Sequence, residues 1–242
     1  MPLQFVVDTC AHTIVPTDRP GDVASWFSDD GFMRLSDWWL QASFPRKYSY
    51  GFRWLGVPII QQPGDILMMQ DLIFRIRPTL MIETGIAHGG SVLFHASMLT
   101  LIHSPIASRP DRPHVVAIDI DIRSHTRQAL DHSTLRPLIT LLESSSIEPS
   151  ALSSVKQIVR ADDVVMVVLD SNHSRDHVLK ELRAFAPLVT PGSAIVAMDG
   201  IMPRFAALPG AQASWRVDNP AAAIQEFLNC PEGAPFTIDH SY

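Results

Sequence analysis

The sequence predicts a doubly wound α/β fold with a mostly parallel sheet, preceded by an N-terminal helical extension. Three observations carry this. Five short runs rich in β-branched residues, without polar alternation, read as strands buried on both faces. Helical patterns separate them, as parallel crossovers require. The 242 residues, 46% of them hydrophobic and 18% charged, can fill one complete core plus modest extensions.

Residues 1–63 read as the extension and 64–242 as the principal domain. Pro16 to Asp22 is loop-like. Trp26, Phe27, Phe32, Trp38, Trp39 and Leu40 are too aromatic for solvent and are expected to pack as one or two helices. They would lie against the chain's own sheet or another subunit, and a homo-oligomer is expected. Gly51 to Pro63 reads as an ordered loop because Gly and Pro punctuate it while its apolar residues need burial. Ile66, Met69, Ile73 and Ile76 follow helical spacing until Pro78 stops it. Strands are expected at 79–83, 115–119, 138–142, 164–170 and 193–198, and helices at 91–102, 124–132, 149–159 and 174–188. The proline-bearing stretch 103–112 reads as an exposed connection. The tail is expected to hold a helix at 221–228 and a last strand at 236–239.

Several function classes are disfavoured. The longest apolar runs, such as Val164 to Leu169, fall far short of the ~20 residues of a membrane span. The first basic residue is Arg19, so no charged leader is evident and a soluble, cytoplasmic protein is expected. A net charge of −6, with scattered Lys and Arg, offers nucleic acid no footprint. Cys10 and Cys230 stand alone and read as ordinary thiols.

Ligands of an open parallel sheet bind beyond the carboxyl ends of its strands. The first strand ends Glu83-Thr84-Gly85-Ile86-Ala87-His88-Gly89-Gly90-Ser91. Gly85 permits a tight turn, and Gly89 and Gly90 would let backbone approach a ligand while helix N–H groups face an anionic group. The spacing is neither a dinucleotide fingerprint nor a phosphate loop, which disfavours pyrophosphate. The second strand ends in Asp119, a carboxylate able to accept both hydroxyls of a ribose; its alternative role is to cap the next turn with Asp121. A ribose without pyrophosphate fits S-adenosylmethionine. The fourth strand ends at Asp170 and the fifth at Asp199, and neighbouring strands would bring these two acids together. Two such carboxylates repel unless a cation lies between them, and Mg²⁺ is the natural candidate. His173 would then reach the same space as a general base; the alternative is that Asp170 or Ser174 caps the following helix and His173 is a satisfied polar residue at the rim. His177, one turn further on, reads as a surface residue, and His88 as flanking the loop.

With these residues placed, the chain resembles the cephalosporin hydroxylase family, whose relatives include rhamnosyl and other sugar O-methyltransferases. The resemblance spans about residues 50–230. It rests on Phe52-Arg53-Trp54-Leu55-Gly56-Val57-Pro58-Ile59-Ile60-Gln61, Ile82-Glu83-Thr84-Gly85 with His88-Gly89-Gly90-Ser91, Ala117-Ile118-Asp119-Ile120-Asp121, Asp170-Ser171-Asn172-His173-Ser174, Ala186-Pro187-Leu188-Val189 and Asp218-Asn219-Pro220. It implies a class I, Rossmann-like methyltransferase fold, with Asp170 and Asp199 as Mg²⁺ ligands and His173 as base. It also implies Glu83, Thr84, Gly85, Gly89, Gly90, Ser91 and Asp119 at the cofactor, with Ser144 and Ser145 near its adenine. Arg53, Trp54 and Gln61 could line the acceptor pocket, although Trp54 could equally be a packed aromatic. The chain departs from these relatives at Met198, where they carry a glutamate, and this weakens the expected metal site.

The expected activity is methyl transfer from S-adenosylmethionine to a hydroxyl, on a sugar or a related small-molecule acceptor. One rival is an NAD-dependent oxidoreductase, disfavoured by the glycine spacing and by 34 residues from Gly85 to Asp119 against about 20 in the fingerprint. The other is a non-catalytic relative, which Met198 keeps open.

Overall fold

The computed structural model describes residues 5–103 and 113–241. The connection expected over 103–112 therefore lies, beyond its first residue, outside the described residues. Contacts divide the chain into two compact units, residues 1–48 with 202–216 and residues 49–201 with 217–242. The stretch 49–63, expected with the extension, belongs to the larger unit.

In the smaller unit, β1 (Phe5–Asp8), β2 (Thr13–Pro16) and β3 (Ala24–Ser25) form an antiparallel sheet that the sequence reading did not anticipate. One helix follows, α1 (Asp29–Ser43), capped by the Ser28 hydroxyl, which accepts the Gly31 N–H at 3.1 Å. Phe44 stacks against Phe205 with ring centroids 4.8 Å apart and meets Trp215 edge-on. The expected burial of these residues holds in part: Trp26 and Leu40 are half-buried, whereas Phe27 is 83% exposed and Phe32, Trp38 and Trp39 are also exposed. At 100° per residue, positions 32, 33, 38 and 39 spread around α1 instead of forming one stripe, so no single packing face can cover them.

The larger unit opens with a hairpin of β4 (Arg53–Trp54) and β5 (Val57–Pro58). Leu55 and Gly56 both take positive φ, 47° and 84°, as a two-residue hairpin turn of matching twist requires. Helix α2 (Pro63–Ile76) starts with proline in its first turn, where no N–H is missed, and ends at Arg77 in the left-handed region. Pro78 then prevents continuation.

From there strands and helices alternate: β6 (Leu80–Thr84), α3 (Gly90–Ile102), β7 (His114–Asp119), α4 (Ser124–Asp131), β8 (Ile139–Glu143), α5 (Pro149–Ile158), β9 (Val165–Leu169), α6 (Arg175–Phe185) and β10 (Ile195–Ala197). The five strands are parallel, in the order β10-β9-β6-β7-β8. The order reverses between β6 and β9, which makes their carboxyl ends the switch point of the fold. Expected strand ends move by only one or two residues. The expected helix 174–188 is α6 followed by a 3-10 turn at Ala186–Leu188.

The two-residue period of the strands divides the core. Met81, Val115, Ala117, Met166 and Val168 face the layer of α2, α3 and α4. Leu80, Ile82, Val116, Val167 and Leu169 face α5, α6 and α7 (Pro220–Leu228). The tail secures this second layer. Asp218 accepts the Arg175 N–H at the start of α6 at 2.7 Å, and Asn219, 2% exposed, caps α7 by accepting the Ala222 N–H. The expected strand at 236–239 does not form. Pro235 removes a donor, and the Phe236 ring packs on Phe227 of α7 with centroids 5.7 Å apart. Among the described residues no helix is long and apolar enough to cross a membrane.

At the switch point the turn after β6 lies flat against the turn after β9. Gly85 has φ +86°, and a Cβ there would stand 2.0 Å from the Asp170 carbonyl oxygen. Both the left-handed backbone and the close approach demand glycine. Gly85→Ala is therefore expected to destabilise the protein by at least about 2 kcal/mol. Urea unfolding followed by circular dichroism measures this, and a stability within about 0.5 kcal/mol of the parent contradicts it.

Candidate active site

Residues at the carboxyl ends of β6, β7, β9 and β10 converge on one rim of the sheet. The turn after β6 is held by its neighbours. Asp119, at the end of β7, accepts the Ile86 N–H at 2.7 Å and the Asp121 N–H at 3.0 Å, so the capping role foreseen for it is present. Each carboxylate oxygen retains further acceptor capacity. Thr126 of α4 donates to the Ala87 carbonyl at 2.8 Å. Ala87 itself has φ 45°, a left-handed conformation that such fixed partners sustain.

The glycines of this turn serve packing more directly than ligand approach. A Cβ at Gly90 would stand 2.3 Å from the Pro58 carbonyl oxygen, and one at Gly89 would meet the Leu130 side chain at 3.1 Å. Their bare Cα atoms admit the β5 strand and α4, not an open groove. The first-turn N–H groups of α3 nevertheless have no intrahelical acceptors and face the rim. A small cavity adjoins them, lined among others by Gln61, Gly85, His88, Ser91 and Asp170.

Glu83 and Ser91, both expected at the cofactor, are bound to each other. By strand parity the Glu83 side chain turns under α3, where it is 1% exposed and accepts the Ser91 hydroxyl. Its other oxygen lies 2.7 Å from Nδ1 of the fully buried His95. Glu83 thus anchors the start of α3 from below. Thr84, on the opposite parity, is fully buried toward α6. Ser144 donates its N–H to the Asp119 carbonyl at 2.8 Å, which holds the Ser144–Ser145 turn beside β7. Of the three acceptor-pocket candidates, only Gln61 lines the cavity. Arg53 is exposed on the hairpin and donates to the Gly56 carbonyl. The Trp54 indole donates to Ser97 at 3.0 Å and packs edge-on against Phe94, so it belongs to the core layer of α3.

The second half of the rim is acidic. His173 Nε2 lies 3.3 Å from Asp170 Oδ1 and 3.2 Å from Asp199 Oδ2. One ligand atom from each of these three residues falls within 4.8 Å of the other two. Met198 continues the alternation of β10 into the core layer of α2 and α3, which leaves Asp199 to turn outward. Asp199 does so at φ 59°, a left-handed conformation that aspartate tolerates better than most residues.

The electrostatics follow from this crowding. Burial pushes the Asp170 carboxyl up to about 6; the His173 hydrogen bond opposes the rise, and the charges of Asp199 and Glu83 add to it. For His173 burial is the largest single influence and opposes its charge. The Asp170 hydrogen bond and the charges of Asp199, Asp170 and Glu181 outweigh it, so its pKa lies above the ordinary value. Asp65, in the first turn of α2, is also raised, by desolvation and then by the Asp199 charge. Two carboxylates and an imidazole at these separations fit one hard divalent cation of the Mg²⁺ or Mn²⁺ type with positions left for other oxygens. Asp65 escaped the sequence reading because it comes from α2, remote in sequence from the strand ends.

His177 corrects the reading of it as a surface residue. Its side chain is 18% exposed, and its Nε2 lies 3.1 Å from Ser146 Oγ and 3.2 Å from Ser171 Oγ. The Glu181 side chain beside it is fully buried. The signal available in the sequence was the i, i+4 spacing that puts His177 and Glu181 on the side of an amphipathic helix next to its apolar stripe.

A five-stranded parallel sheet with helices on both faces, a glycine turn at its switch point and acids at the neighbouring strand ends is the α/β fold of S-adenosylmethionine-dependent methyltransferases. The chain belongs to the Rhamnosyl O-methyltransferase/CmcI family, whose model matches residues 46–242. It is 30% identical over 163 residues to a rhamnosyl O-methyltransferase of Mycobacterium leprae, covering 64% of this chain and 66% of that protein. A rhamnosyl O-methyltransferase of Mycobacterium tuberculosis is 27% identical over 159 residues, 65% of this chain and 60% of the relative. The chain thus spans somewhat less than two thirds of the length of these relatives. Among solved structures, cofactor-bound Rv0187 from MTB superposes with a TM-score of 0.53 at 14% identity over 79% of this chain and 78% of that one. The apo structure of CalS11, a TDP-rhamnose 3'-O-methyltransferase, does so with a TM-score of 0.50 at 20% identity over 74% and 75%.

The raised Asp170 carboxyl predicts a pH window for any divalent cation held by this cluster. Below about 6 it is protonated and uncharged, and above that value it is an anion. Mn²⁺ affinity, read by electron paramagnetic resonance, is expected to be roughly tenfold weaker near pH 5 than near pH 7.5. Asp170→Asn is expected to remove both the binding and its pH dependence.

Proposed function

We propose that the protein is an O-methyltransferase that moves a methyl group from S-adenosylmethionine to a hydroxyl of a sugar or a related small-molecule acceptor, assisted by Mg²⁺. The observation that carries this reading is the convergence of Asp170, His173 and Asp199 beside the glycine turn of β6. The family and its rhamnosyl relatives support the sugar as acceptor class.

Bound cofactor supplies an electrophilic methyl on a sulfonium, and a bound divalent cation supplies a Lewis acid that lowers the acceptor's pKa. In this reading Asp170 and Asp199 hold the cation. The turn from Thr84 to Gly90 and the start of α3 hold the amino-acid end of the cofactor, Asp119 its ribose, and Ser144 with Ser145 its adenine side. Gln61, which lines the same cavity, would contact the acceptor. His173 receives the acceptor's proton at Nε2. Asp170 and Asp199, 3.3 and 3.2 Å from Nε2, orient the imidazole for this role. The rim also fixes the reacting oxygen, which converts an encounter into an in-line transfer.

His173→Ala and Asp170→Asn are expected to lower methyl transfer at least about 100-fold while leaving S-adenosylhomocysteine affinity within about threefold. Calorimetric titration and a sugar-acceptor methylation assay separate the two effects. Unchanged turnover in both variants overturns the mechanism.

A further inference from the structure

Below the rim, and separate from the cluster at Asp170, lies a second group of polar side chains drawn from four elements. Glu181 of α6 is fully buried. It accepts the Ser171 hydroxyl at 2.7 Å, and its Oε1 lies 3.5 Å from His177 Nε2. His177 in turn meets Ser146, which is 5% exposed, and Ser171. Thr84 Oγ1 and Glu181 Oε2 are buried without a hydrogen bond of ordinary geometry, yet the Thr84 hydroxyl is close enough to favour the Glu181 anion. Burial alone would raise the Glu181 pKa. The surrounding His177, Ser146, Ser171 and Thr84 groups reverse that and hold it below the usual glutamate value.

A buried anion is costly unless several donors surround it, so a merely space-filling role would be met better by an apolar residue. The donors belong to three different turns. Ser146 follows the Ser144–Ser145 turn after β8, Ser171 follows Asp170 in the turn that carries His173, and Thr84 precedes Gly85. We propose that Glu181, with His177, is a positioning residue of the transfer site, tying the cofactor-side turns and the Asp170–His173 turn to one face of α6. The inference rests on the methyltransferase reading above. Without the carboxylate, Ser171 loses its acceptor and the two halves of the rim are no longer held in one register. Groups that orient metal ligands in this way commonly change affinity by 10–100-fold when removed.

The test uses the full chain with two probes that need no turnover, Mn²⁺ by electron paramagnetic resonance and S-adenosylhomocysteine by calorimetry. Glu181→Gln, of nearly the same shape, is expected to weaken Mn²⁺ about tenfold and S-adenosylhomocysteine about threefold or more. Ser171→Ala is expected to reproduce the Mn²⁺ effect, and Ser171→Thr, which keeps the hydroxyl, to restore it. Should Glu181→Gln fail to fold, Ser171→Ala and Ser171→Thr decide the matter, because they leave the anion in place. Folded variants that bind both probes like the parent overturn the inference. A parent protein that binds neither probe overturns the methyltransferase reading and this inference with it, so the two failures are distinct.

Discussion

The site depends on one close approach, the flat packing of Gly85 against the Asp170 carbonyl. Parallel strands β6 and β9 are adjacent in the sheet, but adjacency alone leaves their exit turns free to diverge. With no side chain at residue 85, the backbone of one turn rests on the other. Asp119 then fixes the same turn from the β7 side through the Ile86 N–H. The result is a rim in which the glycine turn and the acidic cluster share a wall.

Around that contact, strand parity sorts the chemistry. Glu83 and Thr84 are consecutive in sequence yet serve opposite layers, Glu83 under α3 with Ser91 and His95, and Thr84 toward α6 with Glu181. The same alternation sends Met198 into the core and leaves the outward turn to Asp199. With Met198 turned inward, Asp199 is the acid that β10 brings to the rim. The remaining donors, two carboxylates and one imidazole, are crowded enough to perturb each other's protonation, as functional sites commonly do.

The sheet was legible because buried parallel strands such as 165–169 have no polar interruptions, and because Pro63, Pro78 and Pro149 mark helix boundaries. The Asp170–His173–Asp199 cluster was legible because strand-end acids of neighbouring strands must meet. Other features depend on long-range geometry that local pattern does not encode. The antiparallel β1–β3 sheet, the packing of Trp54 on Phe94 and the exposure of Phe27 and Phe32 are of this kind. So is the burial of His177, which follows from how α6 faces the turn after β8. The pairing of Glu83 with Ser91 and His95 was not foreseen for a related reason: a polar residue at a strand end can face the ligand or the layer beneath, and only parity relative to the sheet decides which.

The trio of Glu83, Ser91 and His95 also limits how this architecture can change over generations. Each oxygen of the carboxylate is committed to one partner, and neither Glu83 nor His95 can reach water to compensate for a lost neighbour. A lineage that altered one of them would inherit an isolated polar group in its interior unless the others changed in concert. These three positions are thus expected to vary in concert, whereas at the hairpin tip the exposed Leu55 is constrained by its left-handed backbone and not by its neighbours.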